Sequence, residues 1–155
     1  MKYKRLIISL ALPQIAGLIG SLFTFSAIAT WYAVLEKPSF SPPNWIFGPV
    51  WILLYVLMGI SIYLIWSKAE EDRKAKGAVW LFWLHLFFNA SWSVVFFGLK
   101  NPGLAFFNII IIWVLIVVLM IKFWQIRKWS AILLIPYLLW VSFASVLNYF
   151  IWQLN

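Results

Sequence analysis

The sequence predicts an all-α integral membrane protein, a five-transmembrane-helix bundle, and three observations carry that prediction. Of the 155 residues, 65% are hydrophobic and only 10% charged, with mean hydropathy +0.96. A water-soluble domain of this length cannot cover its surface with so few charges. The apolar residues also run in uninterrupted stretches, each long enough to cross a hydrocarbon layer of ~30 Å at ~1.5 Å per helical residue. Those stretches are aromatic-rich and ~20 residues long, whereas barrel strands would be ~10 residues with polar alternation.

Taken in order, the spans fall near Leu6–Ala29, Asn44–Trp66, Ala78–Gly98, Gly103–Phe123 and Trp129–Trp152, a single domain over residues 1–155. The first begins Met1-Lys2-Tyr3-Lys4-Arg5 and stays apolar to Ala29 without a small-x-small cleavage site, so it reads as a retained span. Lys2, Lys4, Arg5, Lys68, Arg73, Lys74, Lys76, Lys122, Arg127 and Lys128 fall on one side of the membrane. Only Lys37 and Lys100 fall on the other. This asymmetry places the N-terminus in the cytoplasm and the C-terminus outside. It also accounts for the net charge of +8 as a topology signal, with no nucleic-acid partner.

The loops differ in kind. Ser67–Gly77 is a solvated charge run holding Glu70, Glu71 and Asp72. The two that follow are short and make their flanking spans antiparallel neighbours. On the outer side, Thr30–Pro43 carries Pro38, Pro42 and Pro43, which stop helix propagation, beside Trp31, Tyr32, Leu35 and Phe40. Two readings fit it: a structured lid, or an interfacial aromatic belt.

Several chemistries are excluded. There is no cysteine, hence no disulfide, thiolate metal site or cysteine nucleophile. All four acids, Glu36, Glu70, Glu71 and Asp72, lie outside the spans, which removes intramembrane proton carriers and paired-carboxylate or carboxylate–metal chemistry. The spans instead carry aromatics and amides at helical spacing. His85, Asn89, Trp92, Ser93 and Phe96 mark the third, Tyr137, Trp140, Ala144, Leu147 and Asn148 the fifth, and Phe47, Trp51 and Tyr55 the second.

Each stripe alone fits packing. Together the three spans place aromatics, an amide and a small residue in the outer half of the bilayer, with Trp51, Trp92 and Ala144 ~10 Å deep, Asn89 and Trp140 somewhat deeper and His85 nearer the cytoplasmic end, as a shared site for a flat apolar ligand would require. His85 fits either an axial haem ligand or a helix–helix hydrogen bond. Gly17, Gly20, Ser21 and Thr24 form a small-residue stripe for bundle packing or homodimerisation. Pro136 should kink the fifth span or free a carbonyl.

Read jointly, certain segments resemble the TspO family of tryptophan-rich sensory proteins and translocator proteins, the peripheral benzodiazepine receptor family, in its bacterial type. They are Trp31-Tyr32 with Leu35 to Pro43; Pro49-Val50-Trp51 leading to Tyr55; Asn89 to Ser93 with Phe96-Phe97; and Pro136 to Trp140 with Phe143-Ala144 and Leu147-Asn148. The resemblance implies a bundle in the bacterial cell membrane, commonly a homodimer, that needs no obligatory cofactor and no metal. It further implies that protoporphyrin IX or haem binds under the first loop, where benzodiazepine-site ligands also bind. The implied pocket residues are Tyr32, Trp51, Tyr55, Asn89, Trp92, Ser93, Trp140, Phe143 and Ala144.

The implied role is sensor, carrier or scavenger, with porphyrin transport as an alternative. Light- and oxygen-dependent porphyrin breakdown is a further one, and Trp51 and Trp140 would be its catalytic pair. Two departures stand out. After Tyr149 the chain continues Phe-Ile-Trp-Gln-Leu-Asn without the basic residue of the family's sterol pattern, which argues against sterol binding. Asn108 stands where many relatives carry an acid, which argues against a proton-linked role there.

Overall fold

A helix in hydrocarbon must satisfy its own backbone, and long apolar runs do so at no cost in side-chain polarity. The computed structural model describes residues 2–155, with the side chain of Lys2, one of the cations tallied above, outside the described residues. Its elements are α1 (Lys2–Ile28), α2 (Trp31–Val34), α3 (Asn44–Trp66), α4 (Arg73–Ser93), α5 (Pro102–Ile126), α6 (Lys128–Ile132) and α7 (Ile135–Leu154). Five membrane-crossing segments result, and only 22–44% of each one's most apolar stretch is buried inside the bundle. Much of the remainder lies on the outside of the bundle, where Leu53, Phe87 and Phe107 stand exposed, as apolar side chains of membrane helices do.

Helices extend beyond the spans read from hydropathy. Asp72 caps α4 by accepting the Lys74 amide at 2.7 Å, so α4 starts at Arg73 and not near Ala78. Hydropathy marks where the hydrocarbon begins, whereas the helix continues into the polar interface. At its other end α4 widens into a π-helical turn, Val94–Gly98, closed by the Leu99 amide donating to Val94 O at 2.9 Å. Lys100 then ends the element in the left-handed region at φ 53°. Asn101 accepts the Leu104 amide at 2.9 Å, and Pro102 opens α5.

The fifth span breaks between α6 and α7 just before Pro136, which sits in the first turn of α7 where its missing N–H costs nothing. Pro13 and Pro49, by contrast, lie inside α1 and α3.

Small residues set how closely α1 approaches its neighbours. A Cβ on Gly59 of α3 would fall 2.7 Å from the Ser9 carbonyl oxygen and 3.0 Å from Leu10 Cα. There the two backbones touch. A Cβ on Gly17 would sit 2.4 Å from the Tyr55 ring, and one on Gly20 2.9 Å from Ser93 Oγ. Gly17 and Gly20 of the small-residue stripe therefore pack within the bundle, while the Ser21 and Thr24 hydroxyls bond to carbonyls of their own helix. Ser61 Oγ, buried, donates to Ser130 O at 2.8 Å and ties α3 to α6. Arg5 pairs with Glu70 and ties the start of α1 to the charged loop.

Gly59→Ala is expected to lower stability by about 1–3 kcal/mol, because the obstacle is backbone and cannot turn away. Gly48→Ala, with nothing within 4 Å of its added Cβ, is expected to be neutral or to raise stability by up to about 1 kcal/mol. Thermal melts in one detergent check both.

Candidate functional site

Buried polar groups in hydrocarbon must find one another, and here they form a chain across three helices. Tyr55 of α3 donates its hydroxyl to Asn89 Oδ1 of α4 at 2.9 Å. Asn89 Nδ2 donates to the Tyr137 hydroxyl of α7 at 2.8 Å. Tyr137 Oη and His85 Nε2 are 2.8 Å apart. If Tyr137, already accepting from Asn89, donates to His85 Nε2, only His85 Nδ1 is left without a partner. The opposite tautomer would strand the Tyr137 proton as well. Of its two readings, His85 thus makes the helix–helix hydrogen bond, at 1% exposure.

Rings pack around this chain. Trp51 stacks on Tyr55 at 5.4 Å between centroids and meets Tyr137 edge-on at 6.2 Å. Trp140 lies 5.8 Å from Phe47 and 5.6 Å from Phe143, and its indole Nε1 is buried with no hydrogen-bond partner. Ala144 packs at the edge of the same core.

Trp92 borders this core and a second cluster nearer the α2 loop. It stacks on Phe96 at 5.0 Å and donates its indole N–H to Asn148 Oδ1 at 3.0 Å. Asn148 Nδ2 in turn donates to Pro102 O at 2.7 Å. Ser93 is turned to α1, against Gly20.

The loop over this end is structured. Its helical turn α2 buries Tyr32 against Phe96 and Phe97, at 6.2 and 5.7 Å. Lys37 Nζ donates to Tyr32 O at 2.8 Å and Leu35 O at 3.0 Å, and it lies 4.8 Å from the Tyr32 ring centre. Burial pushes the Tyr32 phenol above its ordinary pKa, partly offset by Ser41.

Two further contacts pin the loop to α7. Asn155 brackets Glu36, accepting its amide and donating to its carbonyl, each at 3.0 Å. Phe40 packs edge-on to Phe143 and Phe150 at 6.3 and 5.6 Å.

The residues singled out from the sequence thus fall into two groups. Trp51, Tyr55, Asn89, Trp140 and Ala144 belong to the α3–α4–α7 core. Tyr32 and Phe143 belong to the cluster under α2, with Trp92 on the boundary and Ser93 facing α1. Tyr137, which belongs to the fifth-span stripe but not to the pocket set that the resemblance implies, is the hub. Its spacing showed it on the right face, but its role depends on partners from two other helices. Among the described residues, no group of three or more His, Cys, Asp or Glu is arranged to hold a metal ion. Asn108 donates Nδ2 to Ser91 Oγ at 2.9 Å, a neutral link between α5 and α4.

The model of the TspO/MBR family matches residues 9–153. The chain is similar to the tryptophan-rich protein TspO of Archaeoglobus fulgidus, 40% identical over 156 residues, covering 100% of this chain and 99% of that protein. It is also similar to the translocator protein of Homo sapiens, 35% identical, covering 92% of this chain and 85% of the relative. The tryptophan-rich sensory protein of Cereibacter sphaeroides is 33% identical, covering 81% and 77%.

Tyr137→Phe removes the hub and leaves Asn89 Nδ2 and His85 Nε2 unpaired. The expected cost is about 1–3 kcal/mol for each group stranded, read as a lowered melting temperature. Because the aromatic ring is kept, no cavity opens and the loss reports on the hydroxyl alone.

Proposed function

This chain belongs to the TspO/MBR family, and on that premise we propose that it binds tetrapyrroles, protoporphyrin IX or haem, among α3, α4 and α7 beneath the α2 loop. The observation that carries the reading is the buried, unpartnered indole N–H of Trp140 in a wall built with Phe47 and Phe143. A flat macrocycle with polar edges supplies what that wall lacks: π-faces to stack on and an acceptor for the N–H. The rings now pack on one another, so entry exchanges ring–ring contacts for ring–ligand contacts and lifts Phe40 from Phe143. Benzodiazepine-site ligands, also flat and apolar, compete for the same wall. Relatives bear the names translocator protein and tryptophan-rich sensory protein, and carriage or sensing by this chain would begin with the same binding step.

Protoporphyrin IX titrated into the protein is expected to quench tryptophan fluorescence to saturation, and quenching that never saturates overturns the proposal. Trp140→Phe, which removes one donor, is expected to weaken binding about fivefold. A second reading, light- and oxygen-dependent breakdown of the bound porphyrin, is favoured by two electron-rich indoles, Trp51 and Trp140, bordering one core. Under illumination, Trp51→Phe with Trp140→Phe then slows the reaction or changes its products. Unchanged rate and products leave binding as the function.

The N-terminus is proposed to lie on the cytoplasmic side and the α2 loop outside. Because the chain has no cysteine, Ser39→Cys should label in intact cells with a membrane-impermeant maleimide. Ser67→Cys should label only after permeabilisation, and the reverse pattern inverts the topology. Homodimerisation, which the resemblance also implies, must use a face other than Gly17 and Gly20, which Tyr55 and Ser93 occupy.

A further inference from the structure

We infer that the cleft between the N-terminal end of α4 and the C-terminal end of α5 binds the phosphate headgroup of an anionic phospholipid. Arg73, Lys74 and Gly77 of α4 and Lys122, Gln125 and Ile126 of α5 enclose about 260 Å³. Three cations and an amide donor thus converge from two helices, and no carboxylate lines the cleft. Among the described residues none of the three cations is in an ion pair, the one ion pair being Arg5 with Glu70. Asp72, the nearest acid in sequence, is turned to the Lys74 amide. Like charges gathered in one cleft repel until an anion neutralises them.

The place in the bundle selects a lipid over other anions. The cleft lies where two membrane-crossing helices leave the apolar layer. Below it the same helices present Trp80 and Ile121, 69% and 55% exposed, to lipid. Trp124 lies under the Lys128 ammonium at 5.5 Å, the pairing of ring and cation expected at headgroup level. A phosphate seated among Arg73, Lys74 and Lys122 leaves its acyl chains running along that exposed apolar surface. Basic clefts between membrane helices capture anionic headgroups in this way, each nearby Lys or Arg strengthening binding about fivefold.

The test uses the full chain in phosphatidylcholine nanodiscs, with phosphatidylglycerol added and retained lipid read by native mass spectrometry alongside thermal melts. Phosphatidylglycerol is expected to be retained selectively and to raise the melting temperature to a plateau. Lys74→Gln with Lys122→Gln should weaken retention about 25-fold, as two neutralised cations imply. Gly77→Phe, whose added Cβ meets nothing within 4 Å, should fill the cleft and block retention without altering charge. It keeps the proposal testable should the double variant fail to fold. Lys68→Gln with Lys100→Gln, outside the cleft, should change nothing. Equal retention of both lipids overturns the proposal, as does full retention by the cleft variants. Inorganic phosphate that reproduces the whole thermal shift, with no further gain from lipid, also overturns it and assigns the cleft to a free anion.

Discussion

The hydrogen-bond chain from Tyr55 through Asn89 and Tyr137 to His85 is the interaction on which the bundle's interior depends. In a medium that offers no water, each of these groups costs several kcal/mol if left alone. Apolar side chains between membrane helices give no comparable direction, since lipid tails solvate them equally well. The amide and phenols therefore fix how α3, α4 and α7 are rotated about their axes. Once that rotation is set, Trp51 must stack on Tyr55 and Trp140 must turn toward Phe47 and Phe143.

Close approach of α1 supports the same arrangement from behind. Gly59 lets the α1 backbone lie against α3, and Gly17 leaves room for the Tyr55 ring that begins the chain. A side chain at residue 17 would push that ring, so packing of α1 and the hydrogen bond to Asn89 are coupled. At the other end of the bundle, Lys37, Asn155 and Phe40 pin the α2 loop to itself and to α7. The loop is held by rings and hydrogen bonds at its two ends, Tyr32 against Phe96 and Phe97, and Phe40 and Glu36 against α7.

Charge is divided unevenly between the two ends of the bundle, and the two proposed sites follow that division. Toward the α2 end lie packed rings and the unpartnered indole N–H of Trp140. The opposite end gathers Arg73, Lys74 and Lys122 in one cleft. No acidic residue lies in the apolar part of any crossing segment, so the polar groups between the helices are neutral hydroxyls, amides, indoles and one imidazole.

The five spans, their antiparallel order and the faces bearing His85, Asn89, Tyr137 and Trp140 were all legible in the sequence. Hydropathy adds up locally along the chain, and helical periodicity assigns faces without knowledge of neighbours. Those same rules could not tell which amide meets which phenol, that His85 closes on Tyr137, or that Ser93 turns to Gly20. They also missed the π-helical turn at Val94–Gly98, the early start of α4 at Arg73 and the orphaned N–H of Trp140. The start of α4 and the π-helical turn rest on local backbone contacts that hydropathy does not register, whereas the polar pairings and the orphaned N–H depend on the relative rotation and depth of separate helices. Rotation and depth are settled by contacts between residues far apart in the chain, such as Tyr55 with Asn89 and Gly59 with Ser9, and only the tertiary structure brings those residues together.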